Sequence, residues 1–140
     1  MDSISFVEKK VNEYYWKEDI NCATTTIKIL SETFKVSIHQ QVVDSALGMH
    51  GAGEYGAQCG LVEGALMFIG IYGKQNNWSN DLIVKSCNSF ANLFEEKFKS
   101  LQCSILRPEG FKEENLPHLC EPLTCNTVQF SIEYISKLRV

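Results

Sequence analysis

The sequence predicts an all-α protein, a compact single-domain bundle of about six helices over residues 1–140, with a glycine-rich loop before the central helix. Three observations carry that expectation. Apolar residues recur mostly at spacings of three and four, the period of one helix face, and strand-like alternation is scarce. All three prolines (Pro108, Pro117 and Pro122) fall in one stretch, which leaves helices free to form elsewhere. The 140 residues, 44% hydrophobic and 21% charged, have the size and composition of one folded domain with a proper core.

The elements follow in order. A first helix is expected from about Ser5 to Lys17, with Val7, Val11, Tyr14 and Tyr15 facing inward. Asp19 or Asn21 can cap a second, which runs through Cys22, Ile27, Leu30 and Phe34. A shorter third covers about His39 to Leu47. Between Gly48 and Gly56 four glycines forbid a stable helix, and the chain there can take backbone angles other residues avoid. The fourth helix is expected from near Gln58-Cys59 to about Gly73. Ser79 or Asn80 caps the fifth, in which Ile83, Cys87, Phe90, Phe94 and Leu101 keep helical spacing. A proline-bearing loop from Cys103 to Thr124 separates it from a last helix, about Cys125 to Leu138, with Val128, Ile132 and Ile135 on one face.

Composition narrows the function classes. Thirteen Lys and Arg against 17 Asp and Glu give a net charge of −4, and no basic stripe interleaves with aromatics, so nucleic acid is not an expected partner. The most apolar stretch, Ala65 to Gly73, is far short of the roughly 20 residues a bilayer requires, so no membrane span is expected. Residues 1–10 lack a basic start followed by an apolar run, and the expectation is a cytoplasmic protein. No phosphate loop and no serine–histidine–acid arrangement is present.

Six cysteines are then the main chemical clue: Cys22, Cys59, Cys87, Cys103, Cys120 and Cys125. In a reducing compartment they point to metal binding, redox chemistry or burial rather than structural disulfides. Cys59 stands at the expected start of the fourth helix, where unpaired backbone N–H groups and the helix dipole favour a thiolate. Gly56, Gly60 and Gly64 recur every four residues around it; they could admit a cofactor or simply let another helix come close, within the fold or in a homo-oligomer. Cys22 follows Asn21, and Cys125 follows Thr124, so both are placed in the first turn of a helix. Cys103 comes just after the fifth helix, Cys87 falls on an apolar face as a core residue, and Cys120 shares the proline loop, either as a resolving or ligand partner for Cys125 or as a merely exposed thiol. His50 in the glycine loop, His118 near Cys120 and Glu63 one turn after Cys59 are candidate bases, though plain solvent exposure is the better explanation of each, and His39 reads as a helix-start residue. There is no Cys-x-x-Cys, and the spacing fits no zinc-finger or ferredoxin pattern, so any shared site must be assembled by the fold.

The order and surroundings of these cysteines resemble the four-cysteine C_GCAxxG_C_C family of redox-active proteins, over nearly the whole chain. Asn21-Cys22-Ala23 matches the first family cysteine, Cys59-Gly60-Leu61-Val62-Glu63-Gly64 the central motif, and Leu101-Gln102-Cys103 the third. Cys125 fits the fourth position better than Cys120, with either open. Leu61 stands where the family has alanine and narrows the space beside Cys59, and Met49 and His50 interrupt the glycine run. The resemblance implies thiol redox chemistry or a metal centre. Three readings result. In the first, Cys59 attacks a disulfide of a partner protein or small thiol, and Cys22, Cys103 or Cys125 resolves it. In the second, Cys22, Cys59, Cys103 and Cys125 ligate a metal ion or iron–sulfur cluster. In the third, the cysteines are incidental to a structural or interaction module.

Overall fold

The computed structural model describes residues 3–138; Met1, Asp2, Arg139 and Val140, at the ends of the expected 1–140 domain, lie outside the described residues. Those residues form eight helices and no strand: α1 (Ser3–Asn12), α2 (Cys22–Phe34), α3 (Gln40–Ser45), α4 (Gly51–Glu54), α5 (Gly60–Gln75), α6 (Asn80–Phe98), α7 (Cys103–Leu106) and α8 (Glu121–Ser136). Five of the eight, those of ten residues or more, make the bundle. The expected count of about six lies between these two figures, because α4 and α7 are single turns in segments read as loop.

Local chemistry sets most of the boundaries. The Asn21 side chain accepts a hydrogen bond from the Thr24 amide at 2.9 Å and opens α2, while Ser79 Oγ does the same for Leu82 and opens α6. Lys35 and Lys99, both in left-handed backbone, end α2 and α6. The first helix does not run to Lys17 as α-helix. From Glu13 to Lys17 it widens to a π-helix, closed by the Glu18 amide donating to the Glu13 carbonyl at 3.3 Å. The last helix starts at Glu121 rather than Cys125, because Pro122 sits in its first turn, where a missing N–H costs nothing.

The segment from Gly48 to Gly56 forms no right-handed helix. In α4 the backbone turns left-handed through Gly51 (φ 67°), Ala52 (φ 55°), Gly53 (φ 64°) and Glu54 (φ 70°). Such angles cost a non-glycine residue about 1–2 kcal/mol. Amide bonds from Gly53 to Gly48 O and from Gly56 to Gly51 O, each 3.0 Å, hold the turn.

The central packing is α2 against α5, the most extensive helix pair, with α8 closing over α1, α2 and α5. Glycine permits the contact. A Cβ on Gly64 would lie 2.6 Å from the Ala23 carbonyl oxygen, and one on Gly60 would lie 2.5 Å from Cys22 Sγ. Within the bundle, Phe68, Phe90 and Phe94 are wholly buried. Phe94 meets Phe98 at 4.7 Å and Phe90 at 5.9 Å between ring centres, and Phe130 completes the cluster. Burying each such ring contributes about 1.5–3 kcal/mol, so this cluster is a principal source of stability.

Candidate thiol site

Four cysteines on four different helix starts line one cavity of about 530 Å³. Cys22 is the first residue of α2, Cys59 the N-cap of α5, Cys103 the first residue of α7 and Cys120 the N-cap of α8. Backbone pairing explains how two of them meet. Gln58 and Gln102 form an isolated antiparallel bridge, with Cys59 and Cys103 as the residues immediately following. The Cys59 amide donates to Leu101 O at 2.8 Å, and the Cys103 amide to Ala57 O at 2.7 Å. The left-handed turn then folds against this pair, since a Cβ on Gly51 would sit 3.0 Å from Cys103 Sγ. Cys22 completes the inner wall, with its sulfur packed against Gly60.

Burial dominates the thiol electrostatics. Cys59 is only 5% exposed, and burial pushes its thiol up to about 12, although the amides of Leu61 and Val62 pull the other way. The helix start therefore acts in the expected direction and is outweighed by desolvation. Cys22 is pushed well up, first by burial and then by the neighbouring charge of Cys59. Cys103 is raised by burial and by Cys120, while Arg107 favours its thiolate.

Polar groups gather nearer the mouth. Arg107 Nη1 lies 3.7 Å from Cys120 Sγ, Nε donates to Gly110 O at 2.7 Å, and the guanidinium sits 4.2 Å over the centre of the Phe111 ring. His118 Nε2 is 3.2 Å from Asp19, and its ring stacks on Tyr15 at 4.9 Å. The Tyr15 hydroxyl pairs in turn with Thr124 Oγ1 at 2.6 Å inside the bundle. Asn21 Nδ2 donates to Leu47 O at 2.8 Å and approaches His50 Nδ1 at 3.2 Å. That assignment leaves His50 Nε2 to carry the proton, facing Glu54 at 3.7 Å.

The structure thus brings Cys22, Cys59 and Cys103 together, and the fourth sulfur at the cavity is Cys120, not Cys125. Cys125 lies one turn inside α8, half-buried, its thiol pushed up to about 11 by burial and by Glu121 and Glu8. Its expected place in a first turn is lost because α8 begins four residues earlier. Gly56, Gly60 and Gly64 do not line the cavity; Gly60 and Gly64 serve the approach of α2 to α5, and Gly56 lies against Ser104. Glu63 accepts a bond from Gln58 Nε2, and the Cys87 sulfur, half-buried on α6, points to Leu66 O at 4.0 Å. His39 does begin a helix, as the residue before α3. Sequence reasoning missed Arg107, Phe111 and Tyr15 as cavity residues; only Cys120 had a usable signal, since Pro122 in a first turn puts Cys120 at the cap. Among the described residues no group of three or more His, Cys, Asp or Glu side chains is arranged to hold a metal ion, so the ligand reading finds no assembled donor set. No helix among them is long and apolar enough to cross a membrane.

Comparison with known proteins agrees with the four-cysteine pattern. Residues 20–134 match the model of a family described as "Putative redox-active protein (C_GCAxxG_C_C)". No curated protein and no solved structure matches the chain.

Proposed function

Because the chain belongs to the C_GCAxxG_C_C family, we propose that it is a thiol–disulfide redox protein working through the cavity sulfurs. The observation that carries this reading is the gathering of Cys22, Cys59, Cys103 and Cys120 around one cavity with a guanidinium beside one of them. Cys120 is the attacking sulfur, since the negative charge it carries during attack falls next to Arg107. Its thiolate displaces one half of a disulfide as a thiol and keeps the other half as a mixed disulfide. Cys103 then attacks the Cys120 sulfur, releases the second half and leaves a Cys103–Cys120 disulfide on the protein. Cys59 and Cys22 stand deeper, as a second dithiol that can take the oxidation over by exchange.

Trapping distinguishes these roles. With the reduced protein and a disulfide substrate, Cys120→Ser should abolish the mixed disulfide seen by intact mass. Cys103→Ser should make it accumulate, and Cys125→Ser should leave the course unchanged. Mixed-disulfide formation at wild-type rate in Cys120→Ser would remove Cys120 from the attacking role.

A further inference from the structure

Arg107 is the one Lys or Arg side chain in the cavity wall, and no ion pair holds it among the described residues. The acids facing the same space have other neighbours: Asp19 lies 3.2 Å from His118, Glu54 lies 3.7 Å from His50, and Asp44 accepts from the neutral Gln40 Nε2 at 2.8 Å. Arg107 meets only neutral partners, the Gly110 carbonyl, the Cys120 sulfur and the Phe111 ring. A guanidinium has five N–H donors in a planar fork, and these partners occupy two of them. The remaining edge is free to receive an anion.

The shape of the space points the same way. A volume of about 530 Å³ is that of a small-molecule site. Cys59 and Cys103 are only 5% and 8% exposed, so their sulfurs are recessed from any folded surface that could press against the mouth. Leu61, Leu106, Phe111 and Leu123 supply apolar walls for an organic body.

We infer that the cavity takes a small organic disulfide carrying a carboxylate or similar anionic group, held by Arg107 with its sulfur–sulfur bond against Cys120. The inference rests on the exchange reading above. Cys120 and Cys103 together give two electrons to the substrate, whose sulfur–sulfur bond breaks. Their two protons end on the two small thiols released, and one new disulfide remains on the protein.

The test follows the reduced full chain with three disulfide reagents: the dianion 5,5′-dithiobis(2-nitrobenzoate), neutral 4,4′-dithiodipyridine and dicationic cystamine. Each rate is divided by that reagent's rate with a free small thiol, which removes intrinsic reactivity. Wild-type protein should prefer the dianion, and Arg107→Gln should lose about tenfold of the dianion-to-neutral ratio, the effect expected of one charge-assisted contact. Arg107→Lys, which keeps the charge without the fork, should retain part of the preference; unchanged far-ultraviolet circular dichroism confirms that both variants fold. Equal slowing with all three reagents would overturn the inference while leaving the exchange reading intact, because Arg107 would then serve the sulfur alone. Undiminished reaction of Cys120→Ser with all three would overturn the exchange reading itself, and this inference with it.

Discussion

Two regions of the bundle are built on opposite plans. In the aromatic cluster, Phe90, Phe94 and Phe98 sit in the middle and last turns of α6, and regular backbone presents them to one another and to Phe130. At the thiol site, every cavity cysteine stands at the start of a helix, and the backbone between is irregular. Asp19 (φ 53°), Ala52 (φ 55°), Glu54 (φ 70°) and His118 (φ 57°) all take left-handed angles there, so both partners of the Asp19–His118 contact rest on unfavourable backbone. The difference teaches where stability and chemistry are kept. Four of the seven non-glycine left-handed residues among those described stand around the sulfurs, and regular packing in the aromatic cluster offsets their cost.

The largest expected effect breaks the aromatic cluster alone. Phe94→Ala should cost about 3–5 kcal/mol of unfolding free energy, read from the urea midpoint. Folded under mild conditions, it should still form the Cys120 mixed disulfide at nearly the wild-type rate. A rate that fell with stability would mean that the two regions are one mechanical unit.

A smaller effect belongs to the thiol site and depends on pH. Cys59 rises from 9.0 to about 12 on folding, so between those values the native state holds a proton that the unfolded chain has released. Its contribution is fully present below about pH 9 and is lost as pH rises towards 12. Cys22 shifts in the same direction. The urea midpoint should therefore fall between pH 9 and pH 11, and Cys59→Ser should flatten the fall more than Cys87→Ser does. An equal slope in all three proteins would show that the buried thiols do not govern alkaline stability.

The smallest effect is expected at Cys87, the cysteine of α6. Cys87→Ser should change stability by less than about 1 kcal/mol, as usual for a half-buried position, and leave exchange kinetics unaltered. Slowed exchange in that variant would extend the reactive set beyond the cavity.

Legibility in the sequence divides along the same line. The caps Asn21 and Ser79, the inward face of α1 and the spacing of Phe90 and Phe94 were readable, because each depends on neighbours three or four residues away. Cys22, Cys59 and Cys103 could be nominated from helix starts and their order, but their convergence depends on the Gln58–Gln102 bridge, a pairing no local pattern announces. On sequence Cys125 is the better fourth cysteine with Cys120 left open, because three prolines in one stretch look like loop, although Pro122 at a first turn begins a helix. The expected acidity of Cys59 failed for a different reason. A helix start is visible in sequence, whereas the burial that outweighs it is a property of the assembled core. Arg107 gave no sequence signal, since a lone arginine in a polar loop is ordinary until the fold sets it beside a sulfur.

The π-helical stretch from Glu13 to Lys17 carries a consequence for how this chain can change over generations. Each such widening accommodates one residue more than the α-helix it interrupts. Loss of a single codon there would tighten the turn to α-helix and leave its flanks nearly in register, so the change stays local to the turn. Tyr15 and Trp16, which stand on it and flank the His118 ring, would be re-aimed without any substitution at the cavity. Insertion and deletion, rather than replacement, are therefore the hereditary changes to which this wall of the site is most exposed.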